Sequence, residues 1–501
     1  MFISKKNLLK ISIYIIIFAL ISIFYFSLIP KFNGFPTGTD AAAHITWARS
    51  IADGSYPPNY LWKGENPSPY PLPEIIFAFI HKTTNYPLIK LFPIIVVIFI
   101  LINIFIASLI AKNIFGYFSG IVTLILGAGF PFLSDHLTVG TMPEIFGMIV
   151  FLLMIYCFVL KKYYYIPLLF IIGLFSHPFV GLISTAIFVS ILPFSLLSNK
   201  FRIYINKKKK FIFFIILSII LLAVLFLIFR ESLIRMRLFN MLLADTLIIS
   251  GGKSYLPIEL INKIKILPIF YIFSLLGIIA LLFKKNSINK KIVIFFIPVI
   301  LLLCFNHLLY INIEPYRFIP YLEIMISIFA SGGILFLINK LSFFFKRRKI
   351  YLLFIFLTLL FPLLLVIENH NRIQKIINWY SNPESMAKLP QEDLKVMQWI
   401  NKENIISNKD YICSLYKWGY WIPAIAQKKV IFGGYEKVSK DTAEGCNQLY
   451  LKTNKEEIQK IAKKENLKYI YFSSHQTTNP EIIKNFELLY QEGKAAIYKL
   501  Y

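Results

Sequence analysis

Long apolar runs separated by short polar segments dominate the first three-quarters of the chain. They lie near 8–29, 88–111, 114–134, 143–160, 164–176, 178–198, 211–229, 266–283, 292–311, 318–339 and 351–367. A helix needs about 20 apolar residues to cross the hydrocarbon of a bilayer. The pair 164–176 and 178–198 forms one 35-residue apolar stretch broken at Ser176-His177-Pro178. Proline disfavours an unbroken helix there, so the stretch reads as a short helix, a tight turn and a second helix. The pattern predicts a polytopic α-helical membrane protein of about eleven spans, give or take two.

After 367 the pattern changes. Lys, Glu and Asn become common and the long Phe/Ile/Leu runs stop. Helical spacing over Glu392–Asn401 and Asn454–Glu465 alternates with extended segments at Tyr411–Leu415, Lys429–Phe432 and Lys468–Phe472. Phe486–Tyr501 reads as a last strand or hairpin turning at Gly493. That alternation predicts a C-terminal soluble α/β domain of about 130 residues. The chain thus divides into a transmembrane part, 1–367, with a long first outer loop at 30–87, and a second part, 368–501. Within the loop, Pro71–His81 is apolar but too short to cross, as in a re-entrant or interfacial helix.

Composition agrees with the runs. Hydrophobic residues make up 57% and charged residues 16%, with 48 Phe, whereas soluble domains are about 25% charged. This excludes a disordered chain and argues against a single soluble enzyme domain. The net charge of +27 invites a nucleic-acid partner until its placement is considered. With a cytoplasmic N-terminus, the basic clusters at Lys5/Lys6/Lys10, Lys112, Lys161/Lys162, Lys200–Lys210, Lys284–Lys291 and Lys340–Lys349 all fall on the cytoplasmic side. They satisfy the positive-inside rule at every turn and serve as topology anchors, with no nucleic acid implied. The first run reads as an uncleaved helix rather than a signal peptide. These features put a multi-pass protein in the plasma membrane with its C-terminal domain outside. The four Cys suggest neither a disulfide scaffold nor a CxxC metal site.

The informative polar residues are those left on the outer side. Asp40 and His44, four apart, share one face of a helix, with Asp40 also suited to cap it. A carboxylate at the membrane edge can act as general base on an acceptor hydroxyl, or bind a divalent metal. Asp135 and His136 precede Glu144 on a short outer turn, a second acidic site whose oxygen and imidazole groups suit Mg²⁺ or Mn²⁺. His177 sits in the break of the 35-residue stretch. His307, Glu314 and Arg317 flank a late apolar helix, where charge near the bilayer is paired or functional. Arg317 can bind a lipid-linked phosphate through its fork of donors. Arg230, Arg235 and Arg237 depart from the positive-inside pattern, and anionic lipid headgroups are one reason for outer arginines. Helix caps, a structural Glu–Arg pair and a satisfied buried histidine are the bland alternatives for these groups.

The chain resembles the GT-C superfamily of multi-spanning glycosyltransferases that use polyprenyl-phosphate-linked sugars. The resemblance rests on the architecture and on short motifs. Gly38-Thr39-Asp40 followed by His44 and then Asp53-Gly54 resembles the opening of oligosaccharyltransferase catalytic subunits. Tyr70-Pro71-Leu72-Pro73 resembles the proline-bearing start of a following loop helix, and Glu314-Pro315-Tyr316-Arg317-Phe318 a late helix of the family. Leu415–Ile422, with Trp418, Tyr420 and Trp421, is similar to the acceptor-side aromatic signature Trp-Trp-Asp-Tyr-Gly. Its acidic position is Lys417 here, and a lysine accepts no hydrogen bonds. Trp418–Trp421 also suits an aromatic core segment.

The resemblance implies a membrane glycosyltransferase with Asp40 catalytic, acting on a polyprenyl-phosphate-linked sugar donor and an acceptor glycan, lipid or protein. His44, His177, His307 and Glu314 become candidate substrate contacts. Two other readings remain open: a transporter or flippase of lipid-linked glycans, and a non-catalytic membrane protein of envelope assembly.

Overall fold

The computed structural model describes residues 5–29, 39–54, 71–129, 142–176, 268–283, 290, 293–304, 318–344 and 389–501, the last apart from 404, 408, 415–418, 420, 432–439, 453 and 477–479. Ten helices precede residue 345 among them. They are α1 (Lys5–Leu28), α2 (Thr39–Ala52), α3 (Pro71–Thr84), α4 (Leu88–Phe115), α5 (Tyr117–Gly129), α6 (Met142–Val159), α7 (Ile166–Ser176), α8 (Pro268–Phe283), α9 (Phe296–Cys304) and α10 (Ile319–Phe344). Four of them, at Leu8–Leu28, Leu88–Phe115, Met142–Val159 and Ile319–Lys340, are long and apolar enough to cross a membrane. The chain is a multi-pass membrane protein.

Packing follows side-chain size. The glycines at 277 on α8 and 333 on α10 face one another. A Cβ on Gly277 would lie 1.9 Å from the Phe329 carbonyl oxygen, and one on Gly333 would lie 1.9 Å from the Phe273 carbonyl oxygen. Backbones can approach this closely only where side chains are absent. At the rim of the bundle, α1 exposes Leu9, Ile15, Ile16, Leu20 and Ile23, as a lipid-facing helix does. Its inner face is tied by two hydroxyls: Tyr14 shares a hydrogen bond with Ser108 of α4, and Tyr25 donates to the Ala128 carbonyl of α5 at 3.3 Å.

The C-terminal part contains α11 (Gln391–Glu403), β1 (Tyr411–Cys413), α12 (Trp421–Ala426), β2 (Lys429–Val430), α13 (Lys440–Leu451), α14 (Lys455–Lys464), β3 (Leu467–Phe472), α15 (Pro480–Asn485), β4 (Glu487–Glu492) and β5 (Ala495–Lys499). The sheet order is β2-β1-β3-β5-β4. The β1 strand is parallel to β2 and β3, while β5 runs antiparallel to β3 and β4. Strand side chains alternate between the two faces. Ile412, Tyr469, Tyr471 and Ile497 join the core shared with α11, α12 and the bundle. Cys413, Ile470, Phe472 and Tyr498 pack a second core with α13 and α14. Gly493 turns the β4–β5 hairpin with φ +55°, a region that favours glycine.

Two sequence expectations change here. Cys413 and Cys446 form a disulfide between β1 and α13, so the cysteines do supply a covalent staple. The segment read as one strand, Tyr411–Leu415, is extended only over Tyr411–Cys413. Beneath the sheet, Asp393 of α11 is fully buried. Its carboxylate accepts from the Tyr471 hydroxyl, from the Ser474 amide at 3.1 Å and from the Ser474 hydroxyl at 2.5 Å.

Candidate functional site

Helix α2 begins where the sequence suggests. Asp40 lies in the first turn of α2, where a carboxylate suits the helix dipole. The following Ala41, Ala42, Ala43, Ile45 and Ala48 are buried. A face of alanines lets α2 lie close against its neighbours, and it packs on α3, α4 and α12. His44, one turn after half-buried Asp40, turns inward and is only 8% exposed.

His44 meets a residue the sequence reading did not single out. Glu74, in the first turn of α3, is fully buried, and its Oε1 lies 2.5 Å from His44 Nδ1. Its second oxygen, Oε2, is buried without a hydrogen-bond partner among the described residues. Trp47 closes over the imidazole edge-to-face, with ring centroids 5.3 Å apart. Buried carboxylates demand partners, so an acidic side chain at the start of the apolar run Pro71–Ile80 was a visible signal of a site. Only its partner, 30 residues away in sequence, was not.

A second buried acidic group lies on a later helix. Glu144 occupies the first turn of α6 and is 7% exposed. Tyr321, near the start of α10, is buried against Phe151 of α6, with ring centroids 5.2 Å apart. Glu323, two residues on, is also buried. Tyr321 Oη has no hydrogen-bond partner among the described residues. Glu323 was missed as well, although one carboxylate inside the apolar run 318–339 was the signal.

The C-terminal part reaches α2. Helix α12 packs on α2, and Arg49, in the last turn of α2, donates to the Ala424 carbonyl. Burial pulls the Arg49 guanidinium below its usual range, and the Asp53 carboxylate opposes that pull. Trp421, at the start of α12, is 2% exposed and belongs to the shared core. Of the other residues singled out in sequence, Asp135, His136, His177, Arg230, Arg235, Arg237, His307, Glu314, Arg317, Trp418 and Tyr420 lie outside the described residues. No group of three or more His, Cys, Asp or Glu able to hold a metal occurs among the described residues.

No family model matches the sequence, and no curated protein matches it. Solved structures do match. ArnT from Cupriavidus metallidurans bound to undecaprenyl phosphate superposes with a TM-score of 0.61 at 8% identity, over 97% of this chain and 98% of that one. The chain shares the fold of that protein. The archaeal oligosaccharyltransferase AglB from Archaeoglobus fulgidus, in complex with an inhibitory peptide and a dolichol-phosphate, superposes with a TM-score of 0.52 at 14% identity, over 93% of this chain and 69% of that one. The same Archaeoglobus enzyme in complex with Zn and sulfate gives a TM-score of 0.53 at 14% identity, over 87% of this chain and 64% of that one.

Proposed function

We propose that this GT-C protein transfers a sugar from a polyprenyl-phosphate-linked donor to a glycan, lipid or protein acceptor at the outer membrane face. One observation carries the reading. On a fold matching ArnT from end to end, His44 and Glu74 meet in a buried contact, with the half-buried Asp40 one helical turn before His44 and buried Glu144 and Glu323 on two further helices. A transporter would place ionisable residues along a path through the membrane, whereas Asp40, Glu74 and Glu144 sit in the first turns of α2, α3 and α6.

In this reading Asp40 accepts the proton of the acceptor hydroxyl as its oxygen attacks the anomeric carbon. The bond from that carbon to the phosphate oxygen breaks as the new one forms, inverting the centre. Arg317, with Arg230, Arg235 and Arg237, holds the departing phosphate. A divalent ion fits the oxygen and imidazole donors of Asp135, His136 and Glu144, and when bound it would offset charge on that phosphate. The part 368–501 covers the site and presents the acceptor through the loop that carries Trp418 and Tyr420.

The same reading sets about eleven spans, a cytoplasmic N-terminus and an extracytoplasmic C-terminal domain in the plasma membrane. The basic loops support it, and so does the Cys413–Cys446 disulfide, since such bonds persist in oxidising compartments. The test is a transfer assay with the purified protein, a panel of polyprenyl-linked sugars, and EDTA. Transfer that Asp40→Asn abolishes supports the assignment, and transfer that it leaves unchanged removes Asp40 from the mechanism.

A further inference from the structure

We infer that Glu74 is a positioning residue that fixes His44 as the final acceptor of the proton released in sugar transfer. The inference rests on the transferase reading above and adds two residues to it. Its structural basis is the 2.5 Å contact between Glu74 Oε1 and His44 Nδ1 across two different helices, with Glu74 fully buried.

The contact decides the chemistry of the ring. A carboxylate accepts hydrogen bonds only, so Nδ1 of a neutral His44 carries the proton and Nε2 keeps its lone pair. Among the described residues, the partners of His44 are Glu74 and the Trp47 ring, so Nε2 is left for another group. The buried pair keeps the same total charge whether the proton shared along Nδ1–Oε1 rests on nitrogen or oxygen. A proton arriving at Nε2 makes an imidazolium, and Glu74 balances it at once. Without that counter-charge, an imidazolium in this buried position would be costly. The same logic holds a catalytic base in place wherever a buried carboxylate orients a histidine.

The helix spacing supplies the other half. Asp40 and His44 are one turn apart on α2, and side chains four apart are neighbours with Cβ atoms about 5–6 Å apart. The sequence of bonds is then complete. The acceptor O–H breaks as the O–C bond to the sugar forms and the C–O bond to phosphate breaks. The hydroxyl proton goes to Asp40, then to His44 Nε2, and leaves to water before the next turnover. Asp40 is thereby returned as a carboxylate. The unpartnered Glu74 Oε2 gives the carboxylate room to tighten on the ring as the charge appears.

The experiment uses the full chain in lipid nanodiscs with undecaprenyl- and dolichyl-phosphate hexoses as donors, and ¹⁵N-histidine labelling of its seven histidines. In the wild type, the His44 signal is expected as the Nδ1–H form. In Glu74→Gln, which keeps the volume, that preference is lost. The kcat of Glu74→Gln is expected to fall about 100-fold, in the range of general acid–base effects, with KM within about threefold. Glu74→Asp recovers part of the rate. His44→Gln falls equally, and the double variant falls no further, as for residues acting as one unit. Glu74→Gln with wild-type kcat, a loss confined to KM, or an Nε2–H ring in the wild type overturns the inference while the transferase reading stands. Wild-type protein that turns over no donor overturns the transferase reading and the relay with it.

Discussion

The guanidinium of Arg49 donates to the backbone carbonyl of Ala424, 375 residues further along the chain. Through it, the helix that opens with Asp40 is fastened to the helix that follows the aromatic loop. The position relative to Asp40 of any loop carried by α12 depends on this bond.

Arg49→Ala should loosen the C-terminal part from α2. Hydrogen bonds to charged groups contribute about 1.5–3 kcal/mol, and the side chain is largely withdrawn from water. The expected outcome is a lower melting temperature and faster proteolytic release of a C-terminal fragment. Arg49→Lys should fail to restore wild-type behaviour, because a single ammonium lacks the planar fork. A melting temperature and cleavage rate equal to wild type would show the bond to be dispensable.

Asp393 and Tyr471 provide a stability test away from the site. Burial and the adjacent Asp393 carboxylate push the Tyr471 phenol well up, so it remains a donor. Tyr471→Phe should cost about 1–3 kcal/mol, since it leaves a buried acceptor short of a partner. A group whose folded value is raised gives stability that is complete below its unfolded value, near pH 10 for tyrosine. That stability is lost as the pH climbs toward the folded value. Thermal melts should therefore show the wild type and the phenylalanine variant converging only above about pH 10.

The glycine contact between α8 and α10 is the sharpest steric prediction. Gly333→Leu drives a side chain into the Phe273 carbonyl. Overpacking costs about 1–3 kcal/mol in ordinary cores, and backbone atoms yield less than side chains. Folded yield should collapse, as read by size-exclusion of detergent-solubilised protein, whereas Gly54→Ala, with no atom within 4 Å of its added Cβ, should cost only its φ of +87°.

The disulfide gives a chemical test. Cys413 and Cys446 are 33 residues apart, and closing a loop of that size stabilises a fold by about 3–4 kcal/mol in the chain-entropy picture. Reduction, or Cys446→Ser, should lower the melting temperature of the C-terminal part. Mass spectrometry after alkylation of intact membranes should find this pair oxidised and Cys157 and Cys304 as free thiols, the state both have in the structure.

The sequence carried what local pattern can carry. Asn454 caps α14 through its side chain to the Glu456 amide, and Gly493 turns the last hairpin, both visible as residue types at fixed offsets. The apolar runs announced α1, α4, α6 and α10. What stayed hidden were pairings between distant residues. Nothing around Glu74 names His44, nothing around Cys413 names Cys446, and Arg49 gives no hint of a carbonyl in α12. Such partners are chosen by packing, which periodicity does not encode. Glu74 and Glu323 were nevertheless detectable as carboxylates inside apolar segments. Each lies within a helix rather than between spans, where an outer site would be sought first.

The two tyrosines of α1 have a mechanical consequence. Tyr14 and Tyr25 are separated by three full turns, so they point the same way about 16 Å apart along the helix. One is hooked to α4 and the other to α5. A rod fastened at two heights on one side can neither slide nor swivel without releasing both fastenings. The lipid-facing helix thus acts as a depth gauge. It holds its own height fixed against α4 and α5, so the bilayer must fit itself to that height.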